Sequence, residues 1–148
     1  MKYGFNIAFW DSVIILKGFL YFLILNYASF CDIKTKTIPD KVHILIILLG
    51  LISINPVNSI AGLMFVPIPF FITAVLKCGG IGGGDIKFMG GNGFLLGVKG
   101  GFIGSLIGLI IAITINTSYY KLKKKDKNIS FPLAPYLSVG CFLSYLLF

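Results

Sequence analysis

Long apolar runs, separated by short stretches that carry nearly every charge, constrain this chain more than any other feature. They extend from about Val13 to Phe30, Val42 to Ile54, Val57 to Leu76, Ile86 to Val98, Gly100 to Thr117 and Phe131 to Phe148. A soluble domain must cover its outside with charge, and about a quarter of its residues are usually charged. Here 12% are charged and 57% hydrophobic, and the charges are thirteen Lys and five Asp with no Glu and no Arg. So much apolar surface cannot be hidden from water by folding alone. A water-soluble enzyme, a disordered tail and a nucleic-acid domain are excluded, and the formal charge of +8 is to be read against a bilayer. The 148 residues are enough for a single domain, 1–148.

Cys31, Cys78 and Cys141 are odd in number and form no Cys-x-x-Cys pair, which indicates neither a disulfide framework nor a structural zinc site. They read as small apolar residues in or near membrane helices. The first apolar segment lacks a small-residue cleavage site and is followed by more spans, so it reads as retained.

Lysine placement chooses the number of crossings. The runs Val42–Ile54 and Ile86–Val98 fall short of the ~20 residues that a helix needs to cross a bilayer core. If all six runs cross, ten lysines in the loops share one side, against Lys2 and Lys99 on the other. If the two short runs stay out, the segregation weakens. The positive-inside rule therefore predicts an all-α polytopic protein of about six transmembrane helices, both termini on the non-cytoplasmic side. The stretch Asn55-Pro56-Val57-Asn58 reads as an external turn. Six crossings bring Asp32, Asp40 and Asp85 to the same cytoplasmic edge.

Ionisable groups at the edge of a membrane span are costly and are candidates for function. Asp126 lies among Lys123, Lys124, Lys125 and Lys127, a solvated basic loop suited to topology and anionic lipid. Asp11 reads as an interfacial residue before the first run. Asp32 ends the first span, either as a juxtamembrane acid paired with Lys34 or Lys36 or as a chemical group. Pro39-Asp40 opens the second helix, where proline and an acid both suit the N-terminus.

Asp85 is the sharpest candidate, because Gly79-Gly80-Ile81-Gly82-Gly83-Gly84 precedes it and Ile86-Lys87 follows. Glycines at this density permit φ > 0 and let another backbone come close to a carboxylate, as an extended peptide would. A phosphate cradle does not fit, since no Gly-Lys-Ser/Thr and no Gly-x-Gly-x-x-Gly is present. Two carboxylates on one water can share a proton, one as general base and the other as acid toward a carbonyl oxygen or leaving amine. This chemistry asks for no metal and no cofactor. His43, the single His, starts the second apolar run and reads as interfacial packing rather than a ligand.

These residues resemble the type IV prepilin peptidases, membrane aspartyl peptidases of the GxGD class. Asp32 followed after five residues by Ile38-Pro39-Asp40 is similar to the family's first block. Gly82-Gly83-Gly84-Asp85-Ile86-Lys87-Phe88 is similar to its second, and Phe131-Pro132-Leu133-Ala134-Pro135 to the start of its last helix. The resemblance implies Asp32 and Asp85 as the catalytic pair, with Gly82, Gly83, Gly84, Lys87, Pro39 and Asp40 supporting. It implies an aspartic endopeptidase of the cell membrane that removes the short basic leader of a prepilin-like precursor, on the cytoplasmic side of the precursor's hydrophobic segment, in type IV pilus, secretion or archaellum systems. Longer relatives add an N-terminal zinc region and N-methylation of the product. With no Cys-x-x-Cys and a start almost at the first span, peptidase without methyltransferase activity is expected. Lys87 reads as steering an acidic substrate segment, tuning Asp85, or snorkelling to headgroups. Gly97, Gly100, Gly101, Gly104 and Gly108 stand at four-residue spacings and read as helix packing. The competing readings are a small transporter or channel with an edge-of-membrane Asp site, a GxGD peptidase of other membrane peptides, and an idle scaffold. The bilayer and a prepilin-like substrate are the partners expected, with no nucleic acid.

Overall fold

The computed structural model describes residues 2–52, 55–76, 81–123 and 131–148, and among them the regular structure is entirely helical. In chain order the elements are α1 (Lys2–Thr35), α2 (Asp40–Gly50), α3 (Pro56–Phe65), α4 (Ile68–Leu76), α5 (Gly83–Lys123) and α6 (Ala134–Leu147). Lys77, Cys78, Gly79 and Gly80 lie outside the described residues, as do Lys124, Lys125, Asp126, Lys127 and the side chain of Asp11.

Proline and asparagine set the boundaries. Asn55 caps α3 by accepting the Asn58 N–H at 3.4 Å, and Pro56 fits the first turn, where no N–H is needed. The stretch expected as a turn is thus a helix start. The run expected as one piece from Val57 to Leu76 is divided between α3 and α4 at Val66-Pro67, since proline cannot donate to the preceding turn.

The expected loop between Val98 and Gly100 is a break inside α5. Gly97 has φ 72° and ψ −176°, a left-handed extended conformation open to glycine. The Asn58 side chain fills the gap, its oxygen accepting the Val98 N–H at 3.1 Å. A Cβ at Gly97 would run into the Asn58 amide.

Three helical stretches are long and apolar enough to cross a membrane, Ser12–Thr35, Pro56–Leu76 and Gly83–Tyr119, with the shorter Ala134–Leu147 beside them. Large apolar side chains such as Ile15, Ile110 and Leu146 point outward at 72%, 62% and 65% exposure. Water would not tolerate that surface, whereas acyl chains match it. This is a membrane protein.

Inside, α5 is the central element, packed against α2, α3, α4 and α6, while α1 lies against α2 and α6. The glycine spacings do what packing demands. A Cβ at Gly104 would stand 2.9 Å from the Cys141 Cα, and one at Gly108 2.8 Å from the Leu137 Cα, so α5 and α6 touch backbone to backbone. Two polar side chains of α1 find partners in the interior. The Tyr21 hydroxyl donates to the Asn92 side chain at 2.6 Å, and the Lys17 ammonium donates to the Ile52 carbonyl just beyond α2 at 2.8 Å. Lys17, which the sequence reading does not single out, is thereby a cap for the end of α2.

Candidate active site

Helix α1 runs past the end of the apolar run at Phe30 as far as Thr35, with Asp32 in its last turn. Lys36 then takes a left-handed φ of 54°, its N–H donating to the Asp32 carbonyl at 2.9 Å. This is the helix-ending geometry usually given to glycine, and a lysine holds it at some strain. The turn sends the chain back across the bundle, so that Ile38 comes against Gly84, where a Cβ would stand 3.5 Å from the Ile38 nitrogen.

Asp32 is 5% exposed. Its Oδ2 accepts the Ala134 N–H at 2.9 Å, and the Leu133 N–H lies near the same carboxylate. The sequence around α6 explains why these two amides are free. Pro132 and Pro135 have no N–H, and those of Tyr136 and Leu137 both turn to the Leu133 carbonyl at 3.2 Å. Leu133, the residue preceding the helix, offers no side-chain cap. A carboxylate from α1 therefore closes the N-terminus of α6, where the helix dipole and the unpaired amides favour a negative charge. Lys34 does not neutralise Asp32; its ammonium lies over the Phe30 ring at 4.5 Å.

Asp85 stands in the first turn of α5, its N–H donating to the Gly82 carbonyl at 3.0 Å. Its side chain leans toward Gly82, where a Cβ would lie 3.4 Å from Oδ2. Oδ1 is enclosed and has no hydrogen-bond partner. The glycines serve space rather than unusual dihedrals: among the described glycines Gly97 has a positive φ, while Gly83 and Gly84 are helical. Nothing lies within 4 Å of where a Gly83 Cβ would be.

A cleft of about 420 Å³ opens between these elements, with Asp32, Asp85, Ile38 and Gly82 to Gly84 on its wall. The two carboxylates interact electrostatically across it. At its edge the Lys87 ammonium donates to Asp40 Oδ1 at 2.9 Å, both side chains well exposed. Lys87 thus meets Asp40 rather than Asp32 or Asp85, and holds the Asp40 carboxyl below its ordinary range by that hydrogen bond and its charge. Asp40 is the first residue of α2, as its acid character suggests, with Pro39 immediately before the helix. Among the described residues, no group of three or more His, Cys, Asp or Glu is placed to hold a metal. The Leu133 and Ala134 amides are site groups that the sequence reading missed; the signal was the pair of prolines that leaves just those donors.

A model of the type IV leader peptidase family matches residues 19–117 of the chain. The chain belongs to that family. A relative is the prepilin leader peptidase/N-methyltransferase of Bacillus subtilis (strain 168), 28% identical over 152 residues; the alignment covers 99% of this chain and 59% of the relative. The chain thus spans a little under two thirds of that relative's length. No solved structure matches the chain. The family model takes in Asp32, Asp40 and Asp85, while α6, whose first turn holds Asp32, lies beyond it.

Proposed function

We propose that this leader peptidase family member is an aspartic endopeptidase that cleaves the leader from prepilin-like precursors at the cytoplasmic face of the cell membrane, using Asp32 and Asp85 to activate water. The observation that carries the reading is the shared cleft, in which one buried carboxylate is fixed by amides and the other has an enclosed oxygen with no partner. A water between them gives a proton to one carboxylate as its oxygen attacks the scissile carbonyl carbon. The other carboxyl donates to the carbonyl oxygen, and on collapse the C–N bond breaks with a proton passing to the leaving amine. Gly82, Gly83 and Gly84 leave the approach to Asp85 clear of side chains, which suits an extended peptide.

The topology that goes with this chemistry is six crossings with both termini outside. The 37 residues of Gly83–Tyr119 would span roughly 55 Å if straight, close to twice a ~30 Å hydrocarbon core, and they are divided at Gly97. With α1, α2, the α3–α4 pair and α6, that makes six, and ten lysines fall on the side of the acid pair.

The test is cleavage of such a precursor by the purified protein in lipid, with product N-termini sequenced. Asp32→Ala and Asp85→Ala are each expected to stop it while melting cooperatively; wild-type rates in either would remove the assignment.

A further inference from the structure

A second cleft, of about 520 Å³, shares Asp40 and Lys87 with the cleft of the acid pair, so that ion pair borders both. Its walls are apolar and come from three helices: Ile44 and Ile47 of α2, Leu63 of α3, and Ile86 of α5. Gly90 and Gly91 also line it, and a Cβ at either would find nothing nearer than 3.6 Å. Helix packing does not demand glycine there, in contrast to Gly93, whose missing side chain lets the Gly62 backbone in. What the two glycines provide is room.

One group in this cleft has no explanation within the chain. His43 is 7% exposed and lines the cleft, its ring edge-on to Phe88 at 6.4 Å, and both ring nitrogens are enclosed with no hydrogen-bond partner. A neutral imidazole carries one donor and one acceptor, and burying both unpaired is costly. Packing alone would be served as well by an apolar ring.

We propose that this cleft seats the first turn of the precursor's apolar helix, next to the junction cut by the acid pair, with His43 accepting one of its main-chain N–H groups. The first four N–H groups of any helix have no intrahelical partner, so an apolar helix that begins here brings both the side chains the walls match and the donor the imidazole lacks. A lipid acyl chain would match the walls and leave His43 unpaired. The inference rests on the peptidase reading above.

The experiment compares two substrates, a full precursor and a short peptide that spans the junction without the apolar segment. Wild type should prefer the precursor. Loss of one hydrogen bond to a buried group is expected to lower that preference about tenfold in His43→Phe. Ile44→Trp, which obstructs the open side of the cleft, should lower it at least as much, and His43→Phe should melt no lower than wild type. A photo-crosslinking residue at position 44 should capture the precursor, whereas one at position 146, on the outward face of α6, should not. If wild type cuts neither substrate, the peptidase reading itself has failed. If it cuts both and the two variants keep its preference, or if the crosslinks at 44 reach lipid alone, the cleft assignment is overturned by itself.

Discussion

Asp32 is held and Asp85 is not. The first lies in the last turn of a helix, nearly sealed, with the Ala134 amide at the start of α6 bound to its carboxylate and the Leu133 amide nearby. The second stands in the opening turn of another helix beside three glycines, with one oxygen enclosed and unpaired. Main-chain donors fix a carboxylate in orientation and favour its charge, because a helix N-terminus presents unpaired N–H groups and the positive end of the dipole. A carboxyl flanked by glycine is free to meet what enters the cleft. Under the proposed function the contrast divides the labour: Asp32 would hold one geometry throughout the reaction and Asp85 would exchange partners as substrate arrives.

The contrast can be broken from the α6 side. Replacing the Ala134 N–H by an ester oxygen, through incorporation of the matching hydroxy acid, removes a donor to Asp32 and also weakens the Leu133 carbonyl as the acceptor of Tyr136 and Leu137. Hydrogen bonds to charged groups contribute about 1.5–3 kcal/mol, so kcat should fall by roughly tenfold to a hundredfold with KM nearly unchanged. Equal kcat in the ester variant would mean that the amides only close the helix. A smaller effect sharpens the comparison at the exposed acid. Lys87 holds Asp40 below its ordinary range, so their ion pair stabilises the fold above that range and is lost as pH falls through the lowered value. Lys87→Met should therefore melt slightly below wild type near neutrality, the gap closing at acidic pH and in high salt. A gap that persisted under acid would give Lys87 a role other than its pairing with Asp40.

Much of this was legible in the residues, for reasons that can be named. The apolar runs marked the helices because acyl chains tolerate no other exposed surface, and the Gly-Gly-Gly-Asp turn marked Asp85 because no capping role needs so many glycines. Asp32 was harder to read, since a juxtamembrane acid with lysines nearby has an ordinary explanation; only the fold shows Lys34 lying on Phe30 and the amides of α6, a hundred residues away, on the carboxylate. Boundaries failed where single residues overrode hydropathy. Pro67 cut one expected helix in two, Lys36 closed α1 with a conformation that sequence assigns to glycine, and Gly97 became a break inside α5, braced by Asn58. Lys17 stayed invisible because a lysine inside an apolar run reads as an exception until its carbonyl partner at Ile52 is seen.

The central claim is that Asp32 and Asp85 act as one unit on one water, and the measurement that meets it most directly is a double-mutant comparison in lipid with a prepilin-like precursor. Groups that act together are strongly non-additive, so a second substitution should add little to the first. The account predicts that Asp32→Ala, Asp85→Ala and the double variant all fall to the same residual rate. Losses that multiply, or a single variant that cuts as wild type does, would contradict it.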